Sequence, residues 1–304
     1  MSISVVMTTF NGEKYIYEQI DSLYQQDIPI DEMLIFDDGS KDRTLEIINE
    51  YISKRRINNW KVIKNPVQLG WKRNFINAID SASGDYVFPC DQDDIWYPDK
   101  ISLMTAIMDQ NDEIEVLASN FDIRNEDPKH QFVKRMDMDD SIDKVELVYH
   151  NIYNERPGCV YCIRKTFFNE IKHLWHEELG HDDFLWKISL LDGGLYIFNH
   201  PTIEYRRHLS NATKKNHSLT NRRADNEVSL EFFSYIKKDG RFRSSSQQEF
   251  IEKEILFCQF RRELLNDPKM WRLFRVGLYR NMYKTRNNFL GDFAFVLMPF
   301  LFSK

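Results

Sequence analysis

The chain opens on a short apolar run that passes directly into polar residues, Ile3-Ser4-Val5-Val6-Met7-Thr8-Thr9-Phe10-Asn11-Gly12. The β-branched residues of this run favour a buried β-strand. The next segment, 15–26, carries apolar side chains at positions 16, 20 and 23, which is the spacing of one helix face. A strand followed by a helix is therefore predicted, and the repetition of this pattern decides the fold class.

The alternation of strand and helix continues as far as residue 119. Apolar runs at 33–36, 60–63, 86–88 and 115–119 are predicted strands. Helix faces are predicted at positions 45, 48 and 52 and at positions 75, 76 and 79, and a helix that starts at Pro98 is predicted through Asp109. Strands separated by single helices predict an α/β fold with a mostly parallel sheet and right-handed crossovers.

Each of the first four predicted strands ends in a polar cluster. In open α/β sheets, ligands bind beyond the carboxyl ends of the strands. Four consecutive strands therefore direct polar groups at one region, which is the predicted binding site. The clusters are Thr8-Thr9-Phe10-Asn11-Gly12, Asp37-Asp38-Gly39-Ser40, Asn65-Pro66-Val67-Gln68-Leu69-Gly70 and Asp91-Gln92-Asp93-Asp94.

The clustered aspartates repel one another unless a cation holds them together. Carboxylate oxygens suit Mg²⁺ or Mn²⁺, which complete their coordination with substrate phosphates. The structural alternative is that these residues are turn and helix-cap aspartates. The sequence contains neither a G-x-x-x-x-G-K-[ST] loop nor G-x-G-x-x-G after the first strand, which disfavours a P-loop enzyme and a dinucleotide oxidoreductase.

Composition narrows the class of protein further. The 304 residues suit one large domain or one domain with an appendage, and the net charge of −6 argues against a nucleic-acid-binding protein. Neither a signal peptide nor a membrane span is expected, because the first apolar run is short and no long apolar stretch occurs. The four cysteines are predicted to be buried thiols in a reducing, cytoplasmic compartment, although Cys159 and Cys162 have the spacing of a metal or redox pair.

As an ordered set, the motifs resemble those of family 2 glycosyltransferases with the GT-A fold. The resemblance covers roughly residues 2–212, and its segment 91–100 is especially similar to bacterial rhamnosyltransferase-like members. It implies a Rossmann-like GT-A catalytic domain over 1–212 and a separate C-terminal helical region over 213–304. The matching segments are Thr8-Thr9-Phe10-Asn11-Gly12, Asp37-Asp38-Gly39-Ser40 with Asp42 and Thr44, Gln68-Leu69-Gly70 with Asn74, Asp91-Gln92-Asp93-Asp94-Ile95-Trp96-Tyr97-Pro98-Asp99-Lys100, Gly158-Cys159, His181-Asp182 and Tyr205-Arg206-Arg207-His208-Leu209-Ser210-Asn211.

The resemblance also implies the residues of the donor site. A metal ion, Mn²⁺ or Mg²⁺, would be bound by Asp93 and Asp91, with His208 as a further ligand or phosphate donor and Asp94 as a supporting residue or helix start. Arg206, Arg207 and either Lys72 or Arg73 would contact the diphosphate, unless the last two only cover a solvated helix face. The residues that would bind the nucleotide are Thr8, Phe10, Asn11, Asp38, Asn65, Gly70, Asn74 and Asp91.

Asp182 matches the catalytic base of this family, at the start of a predicted amphipathic helix. Its carboxylate would take the proton from an acceptor hydroxyl as that oxygen attacks the anomeric carbon. Asp183 stays open as the alternative base, and a helix-start role is the structural alternative. The family usually has a large aromatic residue where this chain has Asp183. Gly158 and Cys159 would stand near the acceptor without a chemical role.

The C-terminal region differs from the rest of the chain. Three helices are predicted, at 217–238, 246–266 and 268–287, and an apolar run follows at 289–302. Between Lys269 and Asn288 there are six basic residues and no acidic ones. A basic amphipathic helix with aromatic anchors favours the inner surface of the cell membrane, and packing against the catalytic domain or a homodimer partner is the alternative.

Together these inferences predict an inverting, metal-dependent glycosyltransferase that acts in bacterial surface polysaccharide synthesis. The donor would be a dTDP- or UDP-sugar, with dTDP-L-rhamnose favoured by segment 91–100, and the acceptor would be a glycan or a lipid-linked oligosaccharide. The alternatives are a metal-dependent phosphoryl or nucleotidyl transferase and a non-catalytic nucleotide-sugar-binding module. A haloacid-dehalogenase-type phosphatase would carry its D-x-D on the first strand, which here ends in Thr8-Thr9.

Overall fold

The computed structural model describes residues 1–126, 132–135, 138–208, 218–283 and 286–301. Two compact units make up the chain: Met1–Val145 with Asn154–Ala212, and Glu146–Tyr153 with Thr213–Lys304. The domain boundary proposed from the sequence, between residues 212 and 213, lies outside the described residues, as do Leu209, Ser210 and Asn211.

The first unit is built from alternating strands and helices. Its strands are β1 Ile3–Thr9, β2 Glu32–Asp37, β3 Trp60–Lys64, β4 Tyr86–Cys90, β5 Ile95–Trp96, β6 Val116–Asn125, β7 Phe132–Lys134, β8 Ile142–Lys144, β9 Tyr161–Arg164 and β10 Leu195–Arg207. Its helices are α1 Ile16–Tyr24, α2 Thr44–Arg55, α3 Trp71–Ser81, α4 Lys100–Gln110, α5 Lys165–Ile171 and α6 His181–Asp192.

All these strands belong to one sheet, in the order β3-β2-β1-β4-β9-β6-β10-β5, with β7 on β6 and β8 on β10. Strands β1 to β4 are mutually parallel where they pair, and β6 is parallel to β10. The prediction of a mostly parallel α/β sheet is therefore confirmed. The sequence pattern did not predict β9, a four-residue strand that lies antiparallel between β4 and β6.

Burial explains why the central strands have such apolar sequences. Every residue of β1 and β4 is buried, because helices cover both faces of a parallel sheet. Helix α1 buries Ile16, Ile20 and Leu23, which are the three positions expected from the sequence. Each such side chain contributes about 1.5–3 kcal/mol by leaving water. In α2 the buried face is centred on Thr44, Ile48 and Tyr51, so the face predicted at 45, 48 and 52 is wrong by about one position.

Two element bounds differ from the predictions for a structural reason. Helix α4 begins at Lys100 and not at Pro98, because residues 95–96 first pair with β10 as strand β5 and a turn then closes from Tyr97 O to Lys100 N. Strand β6 continues to Asn125, beyond the predicted end at 119, because β10 pairs along its whole length.

The second unit contains α7 Leu219–Asp239, α8 Ser245–Asn266, α9 Met270–Gly277 and α10 Arg286–Leu301. The third predicted helix was too long, since α9 ends at Gly277 and a short turn of 3₁₀ helix follows at Arg280–Met282. Asp292 is fully buried and accepts hydrogen bonds from Arg222, Arg261 and Tyr283.

Within the described residues, no helix is long and apolar enough to cross a membrane. The four cysteines are buried free thiols, as predicted.

Candidate functional site

The carboxyl ends of β1 to β4 lie side by side. Thr9 at the end of β1 is level with Asp37 at the end of β2, and Asp37 is level with Lys64 at the end of β3. The last residue of β4, Cys90, is level with Met7. The polar clusters that follow these strands therefore meet at one edge of the sheet, as the sequence predicted.

Asp37 folds the turn that follows β2. Its buried carboxylate accepts hydrogen bonds from Thr9 Oγ1 at 3.0 Å and from the backbone amides of Gly39 and Ser40. Asn11 joins this turn to the loop after β1, since its Oδ1 accepts from Lys41 N at 2.9 Å. These bonds fix the first two polar clusters against each other.

Asp38 organises the loop that leads into α3. Its carboxylate accepts hydrogen bonds from Asn65 Nδ2 at 2.9 Å, Leu69 N at 2.7 Å and Gly70 N at 2.8 Å. Asn74 completes the group, because its Oδ1 accepts from Asn65 Nδ2 and its Nδ2 donates to Phe36 O. Four of the residues expected to bind the nucleotide are thus brought together. Asp38 is only 4% exposed and already has three donors within the protein.

Gln92 fixes the loop that carries Phe10, a role that the sequence analysis missed. The side-chain amide donates to Phe10 O at 3.1 Å and its Oε1 accepts from Phe10 N at 3.0 Å. Gly12 leaves room for this amide, since a Cβ atom there would lie 2.3 Å from Gln92 Oε1. The Phe10 side chain is 43% exposed, whereas the neighbouring Thr8 is buried.

The aspartates of the acidic cluster after β4 have two different sets of neighbours. The carboxylates of Asp91 and Asp94 lie with Cys159 Sγ in a group whose ligand atoms are all within 4.8 Å of one another. Asp93 instead faces His208, with Oδ2 at 2.8 Å from Nε2, and the imidazole stacks on the Tyr15 ring at 4.6 Å between centroids. Of the three residues expected to bind metal, Asp93 and His208 are therefore in direct contact.

The electrostatics of this cluster favour a cation. Burial, with the charges of Asp94 and Asp93, raises the pKa of Asp91 well above its ordinary value. Burial and the charge of Asp93 raise the pKa of Asp94 to about 7. The second carboxylate oxygen of Asp94 has no hydrogen-bond partner among the described residues. Such a set of hard oxygen donors fits Mg²⁺ or Mn²⁺.

Asp94 does not start a helix, so that part of its expected role is wrong. It precedes the short strand β5, and its Oδ1 accepts from Arg206 N at 2.9 Å on β10. Beneath the cluster lies a lysine that the sequence analysis left without a role. Lys100 is fully buried, donates to Cys159 O at 3.0 Å, and its pKa is lowered to about 8 by burial.

The three residues expected at the diphosphate have different surroundings. The guanidinium of Arg206 is 3% exposed, donates to Asp93 O at 2.8 Å and forms ion pairs with Glu18 and Glu126. This geometry favours a structural role that holds the acidic loop to β10. Arg207 is exposed, and Lys72 pairs with Glu178 at 3.1 Å.

Asp182 lies in the first turn of α6, as predicted. Burial, and to a smaller extent the charge of Asp183, raise the pKa of Asp182 to about 6. Asp183 forms an ion pair with Lys187 one turn further along the helix. The preceding residue, His181, is buried against Phe75 at 4.0 Å between ring centroids, and its pKa is lowered to about 3 by burial.

Comparison with known sequences supports the motif analysis. Residues 4–135 match the family described as Glycosyl transferase family 2. The dTDP-rhamnosyl transferase RfbG of Shigella flexneri is 31% identical over 227 residues, which is 70% of this chain and 75% of that protein. An uncharacterized glycosyltransferase of Haemophilus influenzae is 34% identical over 123 residues, and the alignment spans 40% of this chain but only 37% of that protein.

Comparison with solved structures establishes the fold. Staphylococcus aureus TarS 1-349 in complex with UDP-GlcNAc superposes with a TM-score of 0.67 at 18% identity, covering 99% of this chain and 92% of that one. The mannosyltransferase PcManGT of Pyrobaculum calidifontis, in complex with GDP-Man and Mn²⁺, gives a TM-score of 0.57 at 14% identity, covering 99% and 87%. The sheet and helices described above are thus a GT-A fold, as the motifs implied.

Proposed function

Because this chain belongs to glycosyl transferase family 2, we propose that it transfers a sugar from a pyrimidine nucleoside diphosphate sugar to a hydroxyl group of a glycan or lipid-linked oligosaccharide, with inversion at the anomeric carbon. One observation carries the proposal. The acidic cluster after β4 and the Asp38 loop after β2 lie at the same edge of the sheet, on either side of β1. A nucleotide and its diphosphate can therefore be bound together there.

Two loops form the proposed nucleotide site. Asp38 holds Asn65, Gly70 and Asn74 in a fixed loop, and the remaining acceptor capacity of its carboxylate faces the pyrimidine ring. Gln92 fixes Phe10, which presents backbone groups and an exposed ring. The remaining residues of the proposed site are Thr8, Asn11 and Asp91.

Asp93, His208 and Asp91 would hold a divalent metal ion, and the partner-free oxygen of Asp94 makes it an additional candidate ligand. Bound there, Mn²⁺ or Mg²⁺ would neutralise the charge that develops on the leaving diphosphate. The PcManGT complex contains Mn²⁺ together with GDP-Man, which supports this proposal. Arg207 and Lys72 remain proposed diphosphate contacts. The guanidinium of Arg206 is buried and paired with Glu18 and Glu126, so we assign it a positioning role.

Asp182 is the proposed general base. Its pKa of about 6 leaves the carboxylate ionised at neutral pH and basic enough to accept the proton of a sugar hydroxyl. Sugar transfer in a single displacement needs a base that accepts the proton of the acceptor hydroxyl and a group that stabilises the leaving diphosphate. Asp182 is proposed for the first role and the metal site for the second.

The donor is proposed to be a dTDP- or UDP-sugar. RfbG is a dTDP-rhamnosyl transferase, which supports dTDP-L-rhamnose, whereas the TarS complex contains UDP-GlcNAc. Calorimetry with UDP-, dTDP- and GDP-sugars, each with and without Mn²⁺, tests the proposal. Manganese-dependent binding of one pyrimidine nucleotide sugar, with slow release of the nucleoside diphosphate, is the expected result.

Other results, from the calorimetry, from analysis of the products released from each donor and from a variant, would favour the alternatives. Release of inorganic phosphate or pyrophosphate would indicate phosphoryl or nucleotidyl transfer. Tight donor binding with no turnover, and full biological function of Asp182→Asn, would indicate a non-catalytic binding module.

A peripheral location at the inner membrane surface is part of the proposal. Helix α9 buries Leu273 and Val276. Its outer face is also apolar, because Trp271 and Phe274, with Leu278 just after the helix, are exposed by 52%, 73% and 68%. Two exposed cations flank this face: Lys269, which pairs with Asp267 at 2.8 Å, lies before it, and Arg280 lies after it. Aromatic anchors bordered by cations suit an anionic lipid surface.

Sedimentation with vesicles tests this location. Full-length protein should bind phosphatidylglycerol vesicles more than phosphatidylcholine vesicles, and the double variant Phe274→Ser with Leu278→Ser should lose binding. Tyr17→Ser, which changes a 55% exposed ring in the first unit, is the matched control. Unchanged vesicle binding by the double variant, or a dimer in size-exclusion chromatography that the double variant disrupts, would contradict it.

A further inference from the structure

Trp71 is an exposed aromatic residue beside the candidate base. It is the first residue of α3 and its side chain is 46% exposed. Tryptophan is usually highly buried, because its large ring gains much by leaving water. An open indole at the edge of a functional site therefore points to a ligand that covers it.

Hydrogen bonds to the end of β2 hold the start of α3 against the sheet. The amide of Gly70, immediately before Trp71, donates to Asp38 Oδ2 at 2.8 Å. Asn74, one turn later, donates to Phe36 O at the end of β2. The indole is thus carried on a fixed part of the backbone, which is what a binding surface requires.

Ion pairs also join this helix start to the segment before α6. Lys72 pairs with Glu178 at 3.1 Å, and Arg73 pairs with Glu177 at 2.6 Å. Trp175 closes the same segment on itself by donating from Nε1 to Leu179 O at 3.0 Å. The segment that leads to the candidate base is therefore fixed relative to Trp71.

Gly180 separates the indole from the carboxylate of Asp182. A Cβ atom at Gly180 would lie 2.5 Å from Asp182 Oδ1 and 2.7 Å from Trp71 Cη2. Both atoms therefore border the same small space, which any larger residue would fill. The edge of the indole and Oδ1 of the candidate base, which also accepts a hydrogen bond from Asp183 N at 2.9 Å, therefore lie side by side.

We infer that the Trp71 indole is the stacking surface for the acceptor sugar, a neutral pyranose, and that it sets the position of the attacking hydroxyl relative to Asp182. The inference rests on the proposed function. The C–H face of a pyranose is apolar and packs flat on an aromatic ring, while its hydroxyls point outward from the ring edge. A sugar stacked on the indole would therefore direct an edge hydroxyl at Asp182 Oδ1, the orientation that proton transfer needs.

The test uses the 304-residue protein with MgCl₂, which is diamagnetic and suits NMR, and the nucleoside diphosphate of the donor it binds. Saturation-transfer NMR is recorded with four probes, the methyl glycosides of α-L-rhamnose, β-D-glucose, β-D-galactose and N-acetyl-β-D-glucosamine. The variants are Trp71→Ala and Trp71→Phe. Tyr235→Ala, which removes a ring of matching exposure (45%) from the second unit, is the control.

The expected result is saturation transfer from the protein to the ring protons of at least one glycoside. Trp71→Ala should weaken the affinity for that glycoside about tenfold, as the loss of one stacking contact predicts. Trp71→Phe should restore part of the affinity, and Tyr235→Ala should change nothing. Nucleotide affinity should stay constant in all variants. Equal glycoside affinity in Trp71→Ala, no signal from any glycoside with the unmodified protein, or a loss confined to nucleotide affinity would each overturn the inference.

Nucleotide release without glycoside, measured on the same samples, separates this inference from the proposed function. If the unmodified protein releases no nucleoside diphosphate from any donor, the proposed function fails. If the nucleoside diphosphate is released normally and Trp71→Ala binds the glycosides as tightly as the unmodified protein, only the proposed acceptor surface is wrong.

Discussion

Lys187 forms an ion pair with Asp183 from one turn further along α6, and this pairing distinguishes two adjacent carboxylates that sequence alone could not separate. Asp183 has a cation as its neighbour, so its charge is compensated within the helix. Asp182 is partly buried beside it, and desolvation raises its pKa to about 6. These surroundings favour Asp182 as the proposed proton acceptor.

Asp182→Asn is therefore expected to lower the rate of sugar transfer by about 10²–10⁴-fold, the usual contribution of a general base. Donor affinity should be unchanged, because the variant keeps the shape of the side chain. The matched variant Asp183→Asn should lose no more than a few-fold in kcat. The measurements are kcat for both variants and the donor Kd from calorimetry. A larger loss of kcat in Asp183→Asn than in Asp182→Asn would assign the base to Asp183.

The pH dependence of transfer should report the same carboxylate. Since the base acts only when ionised, kcat/KM should fall about tenfold per pH unit below about pH 6 and level off above it. A tenfold increase in Mn²⁺ should leave this midpoint in place. A midpoint that moves with Mn²⁺ would belong to the metal-site carboxylates instead.

Ionisation of Asp182, which should increase activity, should decrease the stability of the fold. The pKa of Asp182 is raised on folding from 3.8 to about 6, so the buried charge costs stability above pH 6 and the cost vanishes below pH 4. Asp182→Asn is therefore expected to raise the free energy of unfolding at pH 8 by ~1–2 kcal/mol. Thermal denaturation at pH 8 and pH 4 checks this, and an equal gain at both pH values would contradict it.

His208 should control the affinity for metal through its contact with Asp93. His208→Ala is expected to weaken Mn²⁺ binding by about 10–100-fold, whether the imidazole is a ligand or orients one. His200→Ala is the control, since that ring pairs with Asp140 at 2.7 Å on another part of β10. Manganese titration by calorimetry makes the measurement, and equal affinities would remove His208 from the metal site.

Arg206 should matter more for stability than for donor binding. Arg206→Met leaves the 20% exposed Glu126 without its partner, whereas the 58% exposed Glu18 can be solvated, so the free energy of unfolding should fall by ~1–3 kcal/mol. Arg207→Met, at an exposed position, should leave the melting temperature unchanged. If Arg206→Met instead keeps the melting temperature and only weakens donor binding, Arg206 contacts the diphosphate, as the motif resemblance implied.

Gly12 should be needed for the nucleotide loop but not for the fold. In Gly12→Ala the new methyl group displaces the Gln92 amide from Phe10. Nucleotide affinity should fall several-fold while the melting temperature changes little, because the displaced group is the end of a flexible side chain. Gly277→Ala, where a Cβ atom meets open space, is the control. An unchanged nucleotide Kd in Gly12→Ala would show that the contact between Gln92 and Phe10 has no part in binding.

The sequence by itself determined the fold and the position of the site. Strand and helix periodicities are local properties, and β1 to β4 with the polar residues at their ends could be predicted for that reason. The motif resemblance added the GT-A fold. That Asp38 and Asp93 lie at the same edge follows from the parallel topology, since parallel strands end on the same side.

Only the tertiary structure decided how individual side chains are used. Arg206 binds Glu18 across 188 positions of the chain, and Asp94 binds the backbone of β10 across 112. Trp71 meets Asp182 only because α3 packs beside α6 at Gly180. No local pattern records such contacts, because burial and charge compensation depend on which distant segments pack together. The sequence therefore located the acidic cluster, and the packing of the first unit distinguished Asp182 from Asp183, brought Asp93 against His208 and enclosed Arg206 in ion pairs.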